Sequence, residues 1–150
     1  MAIWIKKYIR IIKAPLSKKK LALEVFCYLF LTRLALFFLP FRVIVKFLEH
    51  HFVSKHCSEC DDQVIIIGRV IKSVSRYTPW ESLCLVQALT GKIMLKNRGL
   101  ISTVYLGLSK SDNTMKAHAW LKYKDIVVTG SNNGRYKDFT AVKTFGENIK

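Results

Sequence analysis

Cys84, in "TPWESLCLVQAL", and His118, in "KAHAWLKY", are the residues of this 150-residue chain whose types together suit nucleophilic chemistry. A thiolate attacks a carbonyl carbon where a thiol does not. An imidazole within reach can take the thiol proton and, once charged, hold the thiolate beside it. Each residue also has a plain reading. Free cysteine commonly packs as a small hydrophobe, and a strand histidine often does no more than satisfy a hydrogen bond.

The elements that carry the pair favour the chemical reading. Thr78, Pro79 and Glu81 read as a helix start, with Thr78 capping, Pro79 at the first helical position and Glu81 completing a capping box. Leu83, Val86, Leu89, Ile93 and Leu95 give this helix an apolar face, and Gly99 ends it. On this reading Cys84 lies about a turn and a half into the helix, where the dipole has faded, so the histidine must do most of the activating. After Gly99 the period changes. "ISTVYLGLSK", "MKAHAWLKY", "DIVVTG" and "FTAVKTF" are short, rich in β-branched and aromatic residues and separated by turn residues, which predicts an antiparallel sheet with His118 on its second strand.

The first half reads as helical: Trp4 to Ile12, an apolar helix over Leu21 to Leu39 ended by Pro40, a third from Arg42 to Phe52, and a fourth through "DDQVIIIGRVIKSVSRY" with acids at its start. The stretch Leu21 to Phe41 is nearly long enough to cross a bilayer, but Glu24 and Arg33 argue for a buried or membrane-surface helix. The segment from Lys55 to Asp62 is the natural seam, giving an N-terminal helical region over residues 1–60 and a core over residues 61–150. With 51% hydrophobic residues the chain should fold, and its net charge of +15 suits an anionic partner or surface. Cys27, Cys57, Cys60 and Cys84, in a chain with no export signal, suggest free thiols in a reducing cytoplasm. Cys57 and Cys60 form a C-x-x-C near His50, His51 and His56. No second ligand pair follows at finger spacing, so a polar connector is expected there rather than a zinc site.

Several motifs occur together in order. "TPWESLCLVQALTGKIMLKNRGLISTVYLGLSK" followed by "KAHAWLKYKDIVVTG", over roughly residues 76–130, resembles the core of the transglutaminase-like leader peptidases of lasso-peptide biosynthesis. The shared features are Pro79-Trp80 ahead of Cys84, Leu95 to Gly99 leading into Tyr105 to Gly107, and Ala117 to Trp120 around His118. The fold this implies is α+β: an N-terminal helical region, then a transglutaminase-like or papain-like core with a catalytic helix packed on a small antiparallel sheet.

The resemblance also implies a reaction. Cys84 would attack the leader–core junction of a ribosomal precursor peptide, His118 would manage the protons, and no metal or cofactor would be needed. The backbone N–H of Cys84 is the expected oxyanion donor, and Trp80 and Trp120 are expected to support substrate binding. The family often has an acid about a dozen residues after the histidine, yet "TGSNN" has none. Asn132 is the expected third member, with Thr129 next and Asp138 after it, since papain-like enzymes use an asparagine here. The expected partners are the precursor, a separate leader-recognition protein and an ATP-dependent lasso cyclase, with membrane-surface contact by the apolar helix and no nucleic acid. The short chain suits a free-standing peptidase of the cytoplasm, membrane-associated if that helix contacts lipid. Two other readings stay open: acyl transfer by the same pair, and a non-enzymatic basic adaptor at a membrane or nucleic acid.

Overall fold

The computed structural model describes residues 16–49, 60–80, 82–111 and 114–146; the side chain of Asn132 is not among what is described. The expected helix over Trp4 to Ile12, Glu81, Cys57 and the three histidines of the connector lie outside the described residues. Four helices precede four strands: α1 (Leu16–Phe38), α2 (Phe41–Glu49), α3 (Asp61–Val74), α4 (Cys84–Asn97), β1 (Thr103–Ser111), β2 (Thr114–Tyr123), β3 (Ile126–Thr129) and β4 (Thr140–Phe145). A 3₁₀ helix, Asn132–Asp138, lies between β3 and β4 and was not foreseen. The strands form one antiparallel sheet in the order β3-β2-β1-β4, and the class is α+β.

The sheet carries α4 across β2, and α3 packs on β3 and α4. Their shared core holds Ile67 and Ile71 from α3, Val86 and Leu95 from α4, and Val104 and Leu121 from the sheet, all 2% exposed or less. The end of α4 is a Schellman turn. Leu100 N–H donates to the Leu95 carbonyl and Gly99 N–H to that of Lys96, which requires the left-handed conformation Gly99 adopts at φ 73°.

The apolar residues of α1 are not confined to one side, and Ser17–Phe38 is long and apolar enough to cross a membrane, with a mean hydropathy of 1.9. One stripe of it is nonetheless a core face. Val25 and Leu29 are fully buried against the core that α3 and α4 share. Polar ties reinforce the docking: Glu24, which looked out of place in an apolar stretch, receives Arg98 Nη2 at 2.9 and 3.1 Å. Thr90 donates to Thr32 at 3.2 Å in the interior, and Asn97 donates to the Tyr28 hydroxyl at 2.8 Å. The outward stripe leaves Leu31, Phe37 and Phe38 exposed.

One expectation fails. Cys60, at the N-terminal boundary of α3, is disulfide-bonded, whereas Cys27 and Cys84 are free thiols. A sulfur in a disulfide has no thiolate to offer a metal.

The two stripes of α1 should respond differently to truncation. Leu29→Ala is expected to cost about 2–5 kcal/mol, the range for deleting a buried leucine side chain. Leu31→Ala, at a position 56% exposed, should stay within about 0.5 kcal/mol. Urea unfolding followed by circular dichroism measures both. Equal, small effects would show that α1 is not part of the core.

Candidate active site

Cys84 is the first residue of α4, not a residue of its second turn as the sequence suggested. The reason is tertiary. The Thr78 hydroxyl does not cap a helix; it sits 3.0 Å from the carbonyl oxygens of Ser75 and Trp80 and 2.8 Å from Ser82 Oγ. Trp80 is drawn the other way, against the rings of Phe26 and Phe30 on α1 at 5.4 and 5.3 Å. The chain therefore stays irregular until Leu83, which is extended at ψ 164° and provides no side-chain cap. Gln87 steadies this approach by donating Nε2–H to the Ser82 carbonyl at 2.8 Å.

An uncapped start has a chemical consequence. The N–H groups of a helix's first turn have no partners within the helix, and here the first residue of that turn is the cysteine. Gln87 N–H already bonds the Leu83 carbonyl at 3.1 Å. The groups left at the helix mouth are those of Cys84, Leu85 and Val86, which carry the positive end of the helix dipole.

His118 lies on β2 opposite Gly107 of β1. Its Nε2 is 2.7 Å from the Gly130 carbonyl oxygen. A carbonyl can only accept, so Nε2 carries the proton and, in the neutral ring, the lone pair is on Nδ1. Gly130 reaches this position in the left-handed region at φ 78°, and a Cβ there would lie 2.5 Å from the Ala119 carbonyl oxygen and 2.8 Å from Trp120 Cβ. The imidazole is also in contact with Phe139, ring centroids 5.1 Å apart, and with Trp120 at 6.1 Å.

Cys84 and His118, both partly buried, line the same two cavities, one of about 260 Å³ and one of about 350 Å³. Among the described residues Cys84 Sγ makes no hydrogen bond with the imidazole. The pair shares walls without sharing a proton, an open arrangement frequent in enzymes without substrate. The larger cavity is apolar, walled by Leu85, Leu106, Leu108 and Val142; the smaller is polar and includes Lys72, Arg76 and Thr129.

The other expected site residues fall elsewhere. Trp80 and Trp120 are not among the residues lining either cavity. Trp120 is 4% exposed and stacks on Tyr105 at 5.6 Å, so it backs His118 from within the sheet. Thr129 lines the polar cavity with its buried hydroxyl unpartnered, and Asp138 is exposed. The group that orients the imidazole is a backbone carbonyl, which side-chain reasoning passes over; the available signal was a glycine directly after a strand, in "VTGSNN".

The Gly130–His118 contact can be tested without a substrate. Gly130→Ala should destabilise the protein by more than about 1 kcal/mol, because alanine is strained at positive φ. It should also slow alkylation of Cys84 by iodoacetamide several-fold near neutral pH, with the exposed thiol of Cys27 as internal reference. Mass spectrometry of the two cysteine peptides reads the ratio. An unchanged ratio would remove Gly130 from the site.

Comparison with known proteins adds the family. The family model described as the transglutaminase-like superfamily matches residues 35–144, which includes α2, α3, α4, the sheet up to the last residue but one of β4, and both Cys84 and His118. No curated protein and no solved structure matches the chain. With most of its length matched, and with a helix-start cysteine and a strand histidine at shared cavities, the chain belongs to the transglutaminase-like superfamily, whose members are usually cysteine peptidases or acyl transferases.

Proposed function

We infer that the protein is a cysteine endopeptidase that removes the leader from a ribosomally made lasso-type precursor, working with a separate leader-recognition protein. The observation that carries the peptidase reading is the joint placement of Cys84 and His118 on both cavities, with the histidine proton committed to Gly130 and the helix-mouth N–H groups beside the thiol. The lasso-precursor part rests on the ordered motifs between Arg76 and Gly130.

The chemistry follows from the tautomer. Nδ1 of His118 takes the Cys84 proton as Sγ attacks the carbonyl carbon of the leader's last residue. The charge that develops on the carbonyl oxygen is stabilised by backbone donors at the start of α4, the Cys84 N–H foremost. As the C–N bond breaks, His118 returns the proton to the leaving amine of the core peptide, and the leader stays as a thioester on Cys84. A water molecule, giving its proton to Nδ1, then attacks the thioester and releases the leader carboxylate and the free thiol. The new amine of the core peptide passes to an ATP-dependent cyclase.

Binding of the leader by a separate protein raises its effective concentration at Cys84, so precursor processing should be slow for the peptidase alone and accelerated when that protein is added. Cys84→Ala should abolish processing in the complete mixture, a loss of about a thousandfold or more, as expected for deletion of a covalent nucleophile. Mass spectrometry of precursor, leader and core follows both effects. Near-normal cleavage by the Cys84→Ala protein, with Cys27, Cys57 and Cys60 unchanged, would remove the peptidase reading; equal rates with and without the recognition protein would remove the division of labour.

A further inference from the structure

The two cavities that meet at Cys84 and His118 differ in chemistry, and the difference reads as a substrate requirement. The polar cavity is walled by Lys72 of α3, by Ser75 and Arg76 of the turn that follows it, by Gln87, and by the segment from Thr129, the last residue of β3, to Ser131. Lys72 lies in the last turn of α3 and Arg76 in the turn that follows it, and both line this cavity and are exposed. Two cations on one cavity wall repel each other. The ion pairs of the described residues join Arg98 to Glu24 and Lys124 to Asp61, and neither Lys72 nor Arg76 has a carboxylate partner among them. Thr129 adds an independent sign: it is 5% exposed, lines this cavity, and its hydroxyl has no partner. A buried hydroxyl left unpaired is costly, and a ligand that pairs with it recovers that cost. The second cavity offers little but carbon, from Leu85, Leu106, Leu108, Ala117 and Val142.

We propose that the polar cavity is a carboxylate-binding subsite, in which Lys72 and Arg76 hold an acidic group of the peptide on one side of the scissile bond while the apolar cavity takes an aliphatic or aromatic side chain on the other. The proposal rests on the peptidase reading above and names its substrate class. Cleavage at Cys84 places one flank of the peptide over each cavity, because Cys84 belongs to both walls. Guanidinium and ammonium groups bind a carboxylate more tightly than its amide isostere, through charge-assisted hydrogen bonds. The carboxylate can belong to an Asp or Glu side chain or to a free C-terminus, and the test separates these sources.

The full-length protein is incubated with a synthetic peptide library randomised around its centre, in one arm acetylated and amidated and in the other with a free C-terminus. Cut sites are read by mass spectrometry, with the Cys84→Ala protein as blank. The expected result is Cys84-dependent cutting with acidic residues enriched at least about tenfold at a position on one side and apolar residues enriched on the other. Enrichment of acidic residues in the amidated arm assigns the site to an acidic side chain; cutting at a fixed distance from the chain end, seen only in the free-carboxylate arm, assigns it to the C-terminus. Lys72→Glu combined with Arg76→Glu should turn the acidic preference into a basic one and leave the apolar preference in place. Lys72→Gln with Arg76→Gln should flatten it, and serves where the reversed pair folds poorly by circular dichroism. Cys84-dependent cutting with neither an acidic preference nor dependence on a free C-terminus, or with a preference neither double variant moves, overturns the subsite and leaves the peptidase reading standing. No Cys84-dependent cutting, of library or precursor, overturns both.

Discussion

The hydrogen bond from His118 Nε2 to the Gly130 carbonyl organises the functional half of the molecule. It fixes the tautomer, because the acceptor admits only a donor, and so decides which nitrogen remains available as a base. It also ties the end of β3 to the middle of β2 at the place where β3 gives way to the 3₁₀ helix. A backbone acceptor is neutral and cannot titrate. It therefore orients the ring without supplying the full negative charge that would stabilise an imidazolium, as the carboxylate of a triad does. In this chain the electrostatic help available to the thiolate comes instead from the start of α4, where Cys84 is the first helical residue.

That position was only half legible in the sequence. The residue types, the change from helical to alternating period after Gly99, and the order helix then sheet were all readable, and they point to Cys84 and His118 as a pair. The start of α4 was not. Thr78 and Pro79 are good local starters of a helix, but the Thr78 hydroxyl is taken up by Ser75, Trp80 and Ser82, and Trp80 is held by the rings of α1. Packing from a helix distant in sequence overrode local propensity, which is a weak preference to begin with. The carbonyl partner of His118 was hidden for a different reason: backbone carbonyls have no residue type, so a search among side chains passes over them.

The N-terminal helices show the same limit. Leu21 to Leu39 was readable as a helix, and Glu24 as a reason to doubt that it spans a bilayer. Arg98, the residue that explains Glu24, lies beyond α4 and could not be paired with it from spacing. Composition also misjudged Cys60. A count of cysteines carries no geometry, while a disulfide depends on where one sulfur finds another, and Cys60 is bonded while Cys27 and Cys84 are free.

A thiol and an imidazole cannot choose a substrate, since any peptide carbonyl that reaches them is alike to the reacting atoms. Selection has to come from the walls, and here the walls and the reacting groups are built from the same elements. The helix α3 and the turn after it bring Lys72 and Arg76 to the polar cavity, and α3 packs through Gly68 and Ile71 beside β3, whose end leads directly to Gly130. The apolar cavity uses β1 and β2 on either side of His118, and Leu85, the neighbour of Cys84. A peptide that fits poorly in either cavity would strain the contacts that place the base and the backbone donors. A peptide that fits both would hold its scissile carbonyl at the mouth of α4, so recognition and alignment draw on the same binding energy.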